Sequence, residues 1–497
     1  MTLCLITDRI SPHMLPLATA LAGRLDDGAF HYIVTENTGS ARRSLGWETD
    51  VPAWCRIIGS DDAARCAAWQ EIEQADVALF GNRDHPLLER RLALGRLTIL
   101  GTERWFKPPA GRLRLCQPVF LSLVYRTRRW FRNPAFVYLA HGIHAARDMA
   151  QIVLGLSPAI RLFGYLVSPS DPVPAPRRRS DPLRVLWVGR MVDWKRVDTL
   201  IRAVGRLLKA GRSVQLNLVG HGPEEPRLRA LAEKINAETQ RRRGEGDDQD
   251  SSPRLRASAL DSTDPASPRL CASALDSTDP ASPRLCASAL NSTDPAPLRL
   301  CASALDSTDP ASPRLCASAL NSTDPASPRL CASALNSTDP SPLRLCVSAL
   351  NSSPTATPIT FHPPVPITDV RALMRQADVY VLPSSGTEGW GVVVNEAMLE
   401  GCAVIASRES GSGATLIRDG DNGLLIPSGD VNALTHALER LESDEPLRLR
   451  LATAGQATML AEWTPAIAAE RLLAYCEARL ANREPPLWPT GPMSCST

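Results

Sequence analysis

The chain has 497 residues, a net charge of +2 and 22% charged residues. This length predicts two or three domains, and the balanced charge excludes the strong positive field that is typical of nucleic-acid binding. The sequence contains no run of about 18 apolar residues, so we expect no membrane-spanning helix. Its first residues, MTLCLITDRISPHM, lack a basic segment followed by a long apolar core, which predicts a protein without a signal peptide, located in the cytoplasm or peripherally at the inner membrane face.

The first 170 residues contain short apolar segments separated by polar and amphipathic stretches. These segments are TLCLIT, HYIVT, DVALFG, LTIL, AFVYLA and RLFGYLV. Alternation of short apolar strands with helices is typical of a parallel, doubly wound sheet. We therefore predict a Rossmann-like domain over residues 1–170, and a stiff proline-rich linker over 171–181.

One stretch of this first domain, Glu103 to Arg132, is both basic and aromatic. It carries eight arginines and lysines against one glutamate, interleaved with aromatic residues that include Trp105, Phe106, Tyr125, Trp130 and Phe131. Such a surface could contact an anionic membrane leaflet or a lipid-linked substrate. The alternative is an amphipathic helix whose aromatic residues face the core.

The second half shows the same alternation more regularly. Its predicted strands are RVLWV, VQLNLV, ITF, VYVL, AVIA and GLLI, and helical patterns lie between them. We predict a second Rossmann-like domain over residues 182–462, a helix over 463–482 that follows it, and a tail over 483–497. Two such domains facing each other across a cleft is the architecture that we infer.

A 15-residue repeat interrupts the second domain. From Ser252 to Ala356 a unit close to SPRLCASALDSTDPA recurs seven times. A solenoid is conceivable for a regular period, but the prolines and the polar patch of each unit favour a disordered, low-complexity insertion, which we place at 236–357. It would connect the helix Glu224–Ile235 to the strand Ile359–Phe361, and such connections lie at the sheet edge opposite the ligand crevice.

Thirteen cysteines do not indicate a disulfide framework. Six of them occupy one position of the repeat, and the other seven lack CxxC spacing. We expect reduced thiols and no zinc site.

The segment Ser384 to Ser407, SSGTEGWGVVVNEAMLEGCAVIAS, carries the clearest functional pattern. A glycine-rich loop follows one apolar strand and opens a helix, which suits a phosphate group. Glu388 and Glu396 flank this loop, and ionised carboxylates accept hydrogen bonds from donors such as hydroxyls. A phosphate with hydroxyl-rich neighbours, as in a nucleotide-sugar, therefore fits best. The alternative for Glu388 is a carboxylate that complements the helix dipole, and the alternative for Glu396 is a residue on a solvated helix face.

A second strand end, Gly189 to Lys195, contributes cations. Arg190 and Lys195 lie five residues apart at the carboxyl end of a strand, where they could neutralise a diphosphate. The alternative is two solvated cations on a loop.

These motifs resemble the group 1 family of retaining GT-B glycosyltransferases. The resemblance rests on VGRMVDWKRVDTLIRAV, LVGHGPEEPRLRAL, PSSGTEGWGVVVNEAMLEGCAVIAS and LIRDGDNGLLIPSGDVNALTHAL, which span nearly all of the second domain outside the insertion. It implies transfer of a sugar from a nucleotide diphosphate sugar to a hydroxyl on a glycan, lipid or small molecule, with retention of configuration. It also implies no metal and no cofactor beyond the nucleotide-sugar co-substrate, and a final helix, Pro465–Leu480, that crosses back to the acceptor-side first domain.

The resemblance also implies roles for particular residues. Arg190 and Lys195 would bind the donor diphosphate, near the backbone amides of Gly389, Trp390 and Gly391. Glu388 would contact the transferred sugar, and Glu396 the ribose.

Alternatives remain open for the identity of the catalytic histidine and for the overall function. A histidine after a first-domain strand often lies near the reaction centre in this family, and His141 and His144 are the candidates, with His144 preferred. The usual Gly-Gly loop after the first strand is replaced here by Asp8 to His13. A nucleotide-sugar epimerase of the same fold, or a repeat-based binding protein with a vestigial enzyme half, are the other functions that the sequence permits.

Overall fold

The computed structural model describes residues 1–36, 51–59, 61–81, 85–156, 159–177, 181–249 and 357–495. Two parallel α/β sheets form its framework, which confirms the predicted fold class of two Rossmann-like halves. The 15-residue repeat lies outside the described residues, so its disorder stays a prediction, as do the domain boundaries.

The first sheet has the strand order β3-β2-β1-β4-β5-β6-β7, with all pairs parallel. Its strands are Leu3–Thr7 (β1), Phe30–Val34 (β2), Cys55–Ile57 (β3), Val77–Phe80 (β4), Leu97–Thr102 (β5), Phe136–His141 (β6) and Ile160–Phe163 (β7). Its helices are Leu15–Ala22 (α1), Asp62–Gln74 (α2), Leu87–Ala93 (α3), Pro118–Trp130 (α4) and Ile143–Ile152 (α5), with a 3₁₀ helix at Gly111–Cys116.

The second sheet has the order β10-β9-β8-β11-β12-β13, again with parallel pairs. Its strands are Leu183–Val188 (β8), Val214–Val219 (β9), Ile359–His362 (β10), Val379–Leu382 (β11), Ala403–Ser407 (β12) and Leu424–Ile426 (β13). A 3₁₀ helix, Asp193–Lys195, follows β8. The helices are Val197–Lys209 (α6), Glu225–Gln249 (α7), Ile367–Met374 (α8), Val393–Leu399 (α9), Gly411–Leu416 (α10), Val431–Ser443 (α11), Glu445–Glu462 (α12) and Pro465–Leu480 (α13).

The last helix, α13, packs against α1 beside the first sheet. Leu17 and Leu21 of α1 share one apolar cluster with Leu472 and Leu473 of α13, and all four are buried. Thr464 caps α13 by accepting a hydrogen bond from the backbone N–H of Ile467 at 3.2 Å. The chain therefore returns from the second sheet to the first.

Helix α7 continues well beyond the predicted end at Ile235. The Asn236 side chain donates to the backbone oxygen of Ile359 at 3.0 Å and accepts from its N–H at 3.1 Å. It thus satisfies backbone groups on β10, the strand at the edge of the second sheet, where they would otherwise have no strand partner. Residue 236, the predicted start of the insertion, therefore lies inside α7 and contacts β10 of the second sheet.

Candidate functional site

A cavity of about 890 Å³ lies between the carboxyl ends of the two sheets. The first-sheet side supplies the segment after β1, the segment after β5, the end of β6 and Tyr165 after β7. The second-sheet side supplies Lys195, Glu388 and the loop Trp390–Val393. Ligands of parallel α/β sheets bind at this end of the strands, so the cavity occupies the expected place.

Lys195 and Glu388 form an ion pair on the second-sheet wall. Both side chains are largely buried, with 16% and 15% exposed. Lys195 belongs to the 3₁₀ turn after β8, and Glu388 to the loop after the neighbouring strand β11. Two adjacent strands thus bring a cation and a carboxylate together, as the sequence predicts for Lys195 and the Glu388 loop.

Glycines allow the Glu388 loop its close contacts. Gly391 has a φ of +92°, in the left-handed region that favours glycine. A methyl group at Gly411 would overlap the backbone oxygen of Gly389. Ser412, the next residue of α10, donates from its N–H to the Trp390 oxygen at 2.9 Å, and from its hydroxyl to the Gly391 oxygen at 2.9 Å. The Ser410–Thr415 segment therefore supports this loop.

The side chain of Trp390 has a structural role that the sequence analysis did not predict. It is 1% exposed, and a methyl group at Gly164, just after β7, would overlap its ring. Its indole N–H donates to Asn395 at 2.9 Å, and Asn395 donates to the Tyr165 backbone oxygen at 3.0 Å. Trp390 therefore joins the loop of the second sheet to the end of the first.

Glu396 lies on α9 and is 4% exposed, so it is not the solvated helix residue of the alternative interpretation. Burial raises its pKa to about 7; Arg371 opposes this shift and Glu400 adds to it. Among the residues that the structure describes, none donates a hydrogen bond to its carboxylate. Glu396 is not one of the residues that line the cavity.

Two other candidates, Arg190 and His144, also lie outside the cavity lining. Arg190 is exposed and follows Gly189, the first residue after β8. The ring Nε2 of His144 lies 2.9 Å from the backbone oxygen of Arg408, so this histidine helps to join the two halves.

His141, not the preferred His144, is the candidate histidine that lines the cavity. It ends β6, is 9% exposed, and has a pKa lowered to about 4 by burial, so its ring is neutral at pH 7. Its Nδ1 is buried and has no hydrogen-bond partner among the described residues. A neutral imidazole of this kind can hydrogen-bond a substrate hydroxyl.

The segment from Asp8 to His13 lines the cavity although it lacks the Gly-Gly pair. The ring of His13 is largely buried, which lowers its pKa to about 4. Where the resemblance implied a Gly-Gly loop without side chains, this side of the cavity therefore carries charged and aromatic side chains, among them Asp8, Arg9 and His13.

Sequence analysis did not single out Glu103, Asp148 or Tyr165. Glu103 and Tyr165 line the cavity, and Asp148 accepts hydrogen bonds from the backbone N–H groups of Trp105 and Phe106 at 3.0 and 2.8 Å. The signal that could have found Glu103 is its place directly after β5, the same strand-end rule that found Lys195 and Glu388.

Within the described ranges, no cluster of three or more His, Cys, Asp or Glu residues has an arrangement that could hold a metal ion. No helix in the same part of the chain is both long and apolar enough to cross a membrane.

Two family models for glycosyl transferases group 1 match the second half, over residues 182–253 and 355–458. A phosphatidyl-myo-inositol mannosyltransferase of Mycobacterium leprae is 42% identical over 94 residues, which are 19% of this chain and 25% of that protein. The lipopolysaccharide core biosynthesis glycosyltransferase LpsE of Rhizobium meliloti is 34% identical over 96 residues, 19% of this chain and 28% of that protein. The chain therefore matches only about a quarter of the length of these curated relatives.

Solved structures extend the likeness of fold to both halves. Alr3699/HepE of Anabaena, solved in complex with UDP, has a TM-score of 0.54 at 13% identity, covering 95% of this chain and 98% of that one. WaaG, a glycosyltransferase involved in lipopolysaccharide biosynthesis, has a TM-score of 0.50 at 13% identity, covering 94% and 98%. The chain therefore has the GT-B fold, and its second half belongs to the group 1 family of glycosyl transferases.

Proposed function

We propose that this protein is a retaining glycosyltransferase that moves a sugar from a nucleotide diphosphate sugar to a hydroxyl of a glycan, lipid or small molecule, in cell-envelope or polysaccharide biosynthesis. The observation that carries this proposal is the Lys195–Glu388 pair on the wall of a large cavity between the two sheets. The structure of HepE in complex with UDP supports a nucleotide donor, and the names of the curated relatives support sugar transfer.

In this proposal the second-sheet wall binds the donor. Lys195 and Arg190 would meet the diphosphate, together with the amides of residues 389–391. Glu388 would accept hydrogen bonds from the transferred sugar, and Glu396 from the ribose. Negative charge grows on the leaving diphosphate as the sugar bond breaks, and fixed cations and amides stabilise it without reorganisation. We therefore propose a reaction that needs neither a metal ion nor a cofactor.

The first-sheet wall would hold the acceptor. His141 replaces His144 as the histidine that we propose near the reacting centre, because it lines the cavity and burial keeps its ring neutral. Trp390 lines the cavity and packs against Gly164 of the first half. Exclusion of water from the cavity would favour transfer over hydrolysis.

A ligand panel tests the proposed function directly. We expect one class among UDP-, GDP- and ADP-sugars to raise the melting temperature, because a ligand that binds only the folded state stabilises it. Product analysis then separates transfer, with release of nucleoside diphosphate, from epimerisation of the intact nucleotide-sugar. Failure of every nucleotide-sugar to bind at millimolar concentration would contradict the proposal.

We also propose that the segment 111–129 contacts an anionic membrane surface. As the alternative interpretation expects, Trp105, Phe106, Trp130 and Phe131 are buried; Tyr125 is 69% exposed. The outer face instead exposes aliphatic side chains, with Leu113 73% and Val119 85% exposed. Arg112 and Arg129 lie on the same segment, and basic residues beside exposed apolar ones suit an anionic leaflet.

Replacing Leu113 and Val119 together with glutamine should weaken binding to phosphatidylglycerol vesicles at least several-fold, because both exposed apolar contacts are lost. Co-sedimentation with phosphatidylglycerol and with phosphatidylcholine vesicles measures the effect and its charge dependence. Leu487→Gln is the matched control, since Leu487 is 66% exposed but lies in the C-terminal tail. Equal binding of the double variant and the wild type would exclude this surface.

A further inference from the structure

Glu103 brings a carboxylate from the first sheet to the loop that carries Glu388. It follows β5 directly and lines the cavity. A methyl group at Gly389 would overlap the Glu103 carboxylate, so this side chain lies directly against the residue that follows Glu388. Gly389 does not have a positive φ, so backbone conformation does not require a glycine at this position. The close contact with the Glu103 carboxylate explains it instead.

Neighbouring side chains hold the Glu103 carboxylate in place. Lys107 donates to its Oε2 at 2.6 Å. Burial, with a smaller contribution from Glu103, raises the pKa of Tyr165, which lines the same cavity. The side chain of Glu103 is 30% exposed, so the ammonium group offsets part of the cost of desolvating the carboxylate. The Glu103 carboxylate is therefore a hydrogen-bond acceptor that Lys107 holds against the Glu388 loop.

The main chain of this loop is also fixed. Asp148 on α5, 5% exposed, accepts from the N–H groups of Trp105 and Phe106 at 3.0 and 2.8 Å. Across the cavity, the hydroxyl of Thr387 donates to the Pro108 oxygen at 3.1 Å. The two loops that carry Glu103 and Glu388 thus hold each other in one arrangement.

We propose that Glu103 is a further substrate-binding residue, whose carboxylate accepts a hydrogen bond from a sugar or acceptor hydroxyl beside Glu388. Each of the two carboxylates has its own lysine, Lys107 or Lys195, and they approach the same place from opposite walls. A carboxylate accepts only from donors, and hydroxyls are the donors that a sugar-transfer site holds. This inference rests on the proposed function.

The hydroxyl could belong to the transferred sugar or to the acceptor, and Glu103→Gln and Glu103→Ala distinguish the two. Titration calorimetry with UDP and with the UDP-, GDP- or ADP-sugar that the wild type hydrolyses fastest gives donor affinity. The rates of donor hydrolysis and of transfer to glycerol or methyl α-glucoside show whether the variants use an acceptor less well.

If the hydroxyl is on the transferred sugar, the alanine variant loses about tenfold or more in affinity for the nucleotide-sugar but keeps its affinity for the free nucleotide. If it is on the acceptor, both affinities and the hydrolysis rate stay, and the ratio of transfer to hydrolysis falls by a similar factor. The glutamine variant, which keeps an acceptor oxygen, should lose less in either case.

Glu439→Gln is the matched control, because Glu439 pairs with Arg212 at 3.0 Å away from the cavity lining. If Glu103 had only a structural role, its variants would have a lower melting temperature but unchanged donor affinity, hydrolysis rate and ratio of transfer to hydrolysis. An active wild type with Glu103 variants unchanged in all three measurements would overturn this inference alone. A wild type that binds and hydrolyses no nucleotide-sugar would overturn the proposed function as well.

Discussion

Replacing Lys195 with methionine should lower the rate of sugar transfer about 100-fold or more. The change removes the cation proposed to meet the leaving diphosphate, and a charge-stabilising group in a water-excluded site contributes on the order of 3 kcal/mol to the barrier. It also leaves the Glu388 carboxylate, 15% exposed, without its ion-pair partner. Release of nucleoside diphosphate with saturating donor measures the effect.

A double variant separates catalysis from stability. Lys195→Met alone should lower the free energy of unfolding by a few kcal/mol, because it leaves a largely buried charge unpaired. Adding Glu388→Gln removes that charge and should restore much of the stability without restoring activity. Lys209→Met, at the end of α6 and outside the cavity lining, is the control. Near-wild-type transfer by Lys195→Met would contradict the donor site.

The sequence predicted the second half well because short, fully buried strands alternate there with helices. The carboxyl ends of adjacent parallel strands must meet, so Lys195 and Glu388 could be placed together from strand order alone. Strand order cannot say which side chains turn inward beyond the strand ends. Of the two candidate histidines, His141 at the end of β6 lines the cavity, whereas the preferred His144, on α5, does not.

Contacts between the halves were the least predictable part of the site. Glu103 reaches Gly389 from the other sheet, and Trp390 packs on Gly164, with more than 200 residues between the members of each pair. No local periodicity reports such contacts. The exposure of Arg190 agrees with the alternative interpretation, a solvated cation on a loop, because the position after β8 fixes its Cα but not the direction of a long, flexible side chain.

Replacing Glu396 with glutamine should lower sugar transfer about tenfold and stabilise the protein above pH 7. The first effect follows if Glu396 accepts hydrogen bonds from the ribose, because hydrogen bonds to a charged group contribute about 1.5–3 kcal/mol. The second follows from the pKa of this buried carboxyl, raised from 4.5 to about 7. A raised acid pKa favours the protonated folded state, so the stability it contributes is complete below about pH 4.5 and is lost as the pH rises to 7.

At pH 8 the wild type therefore bears a desolvation cost on the order of 3 kcal/mol that the glutamine variant avoids, whereas at pH 4.5 the two should be nearly equal. Thermal or urea unfolding at both values measures this difference. Glu409→Gln is a control of the same charge on a partly exposed residue outside the cavity lining. A difference between wild type and variant that does not change with pH would contradict the raised pKa.

The same carboxyl should link donor binding to proton release. Ribose hydroxyls that donate to Glu396 favour its ionised form and lower its pKa from about 7. Roughly three-quarters of this carboxyl is protonated at pH 6.5, so binding of a UDP-sugar there should expel up to that fraction of a proton. The lining histidines His13 and His141 have pKa values near 4 and contribute little there. Calorimetry in buffers of different ionisation enthalpy measures the proton, and affinity should rise between pH 6 and 8. If the Glu396→Gln variant released the same proton, another group would be responsible and Glu396 would not be the ribose ligand.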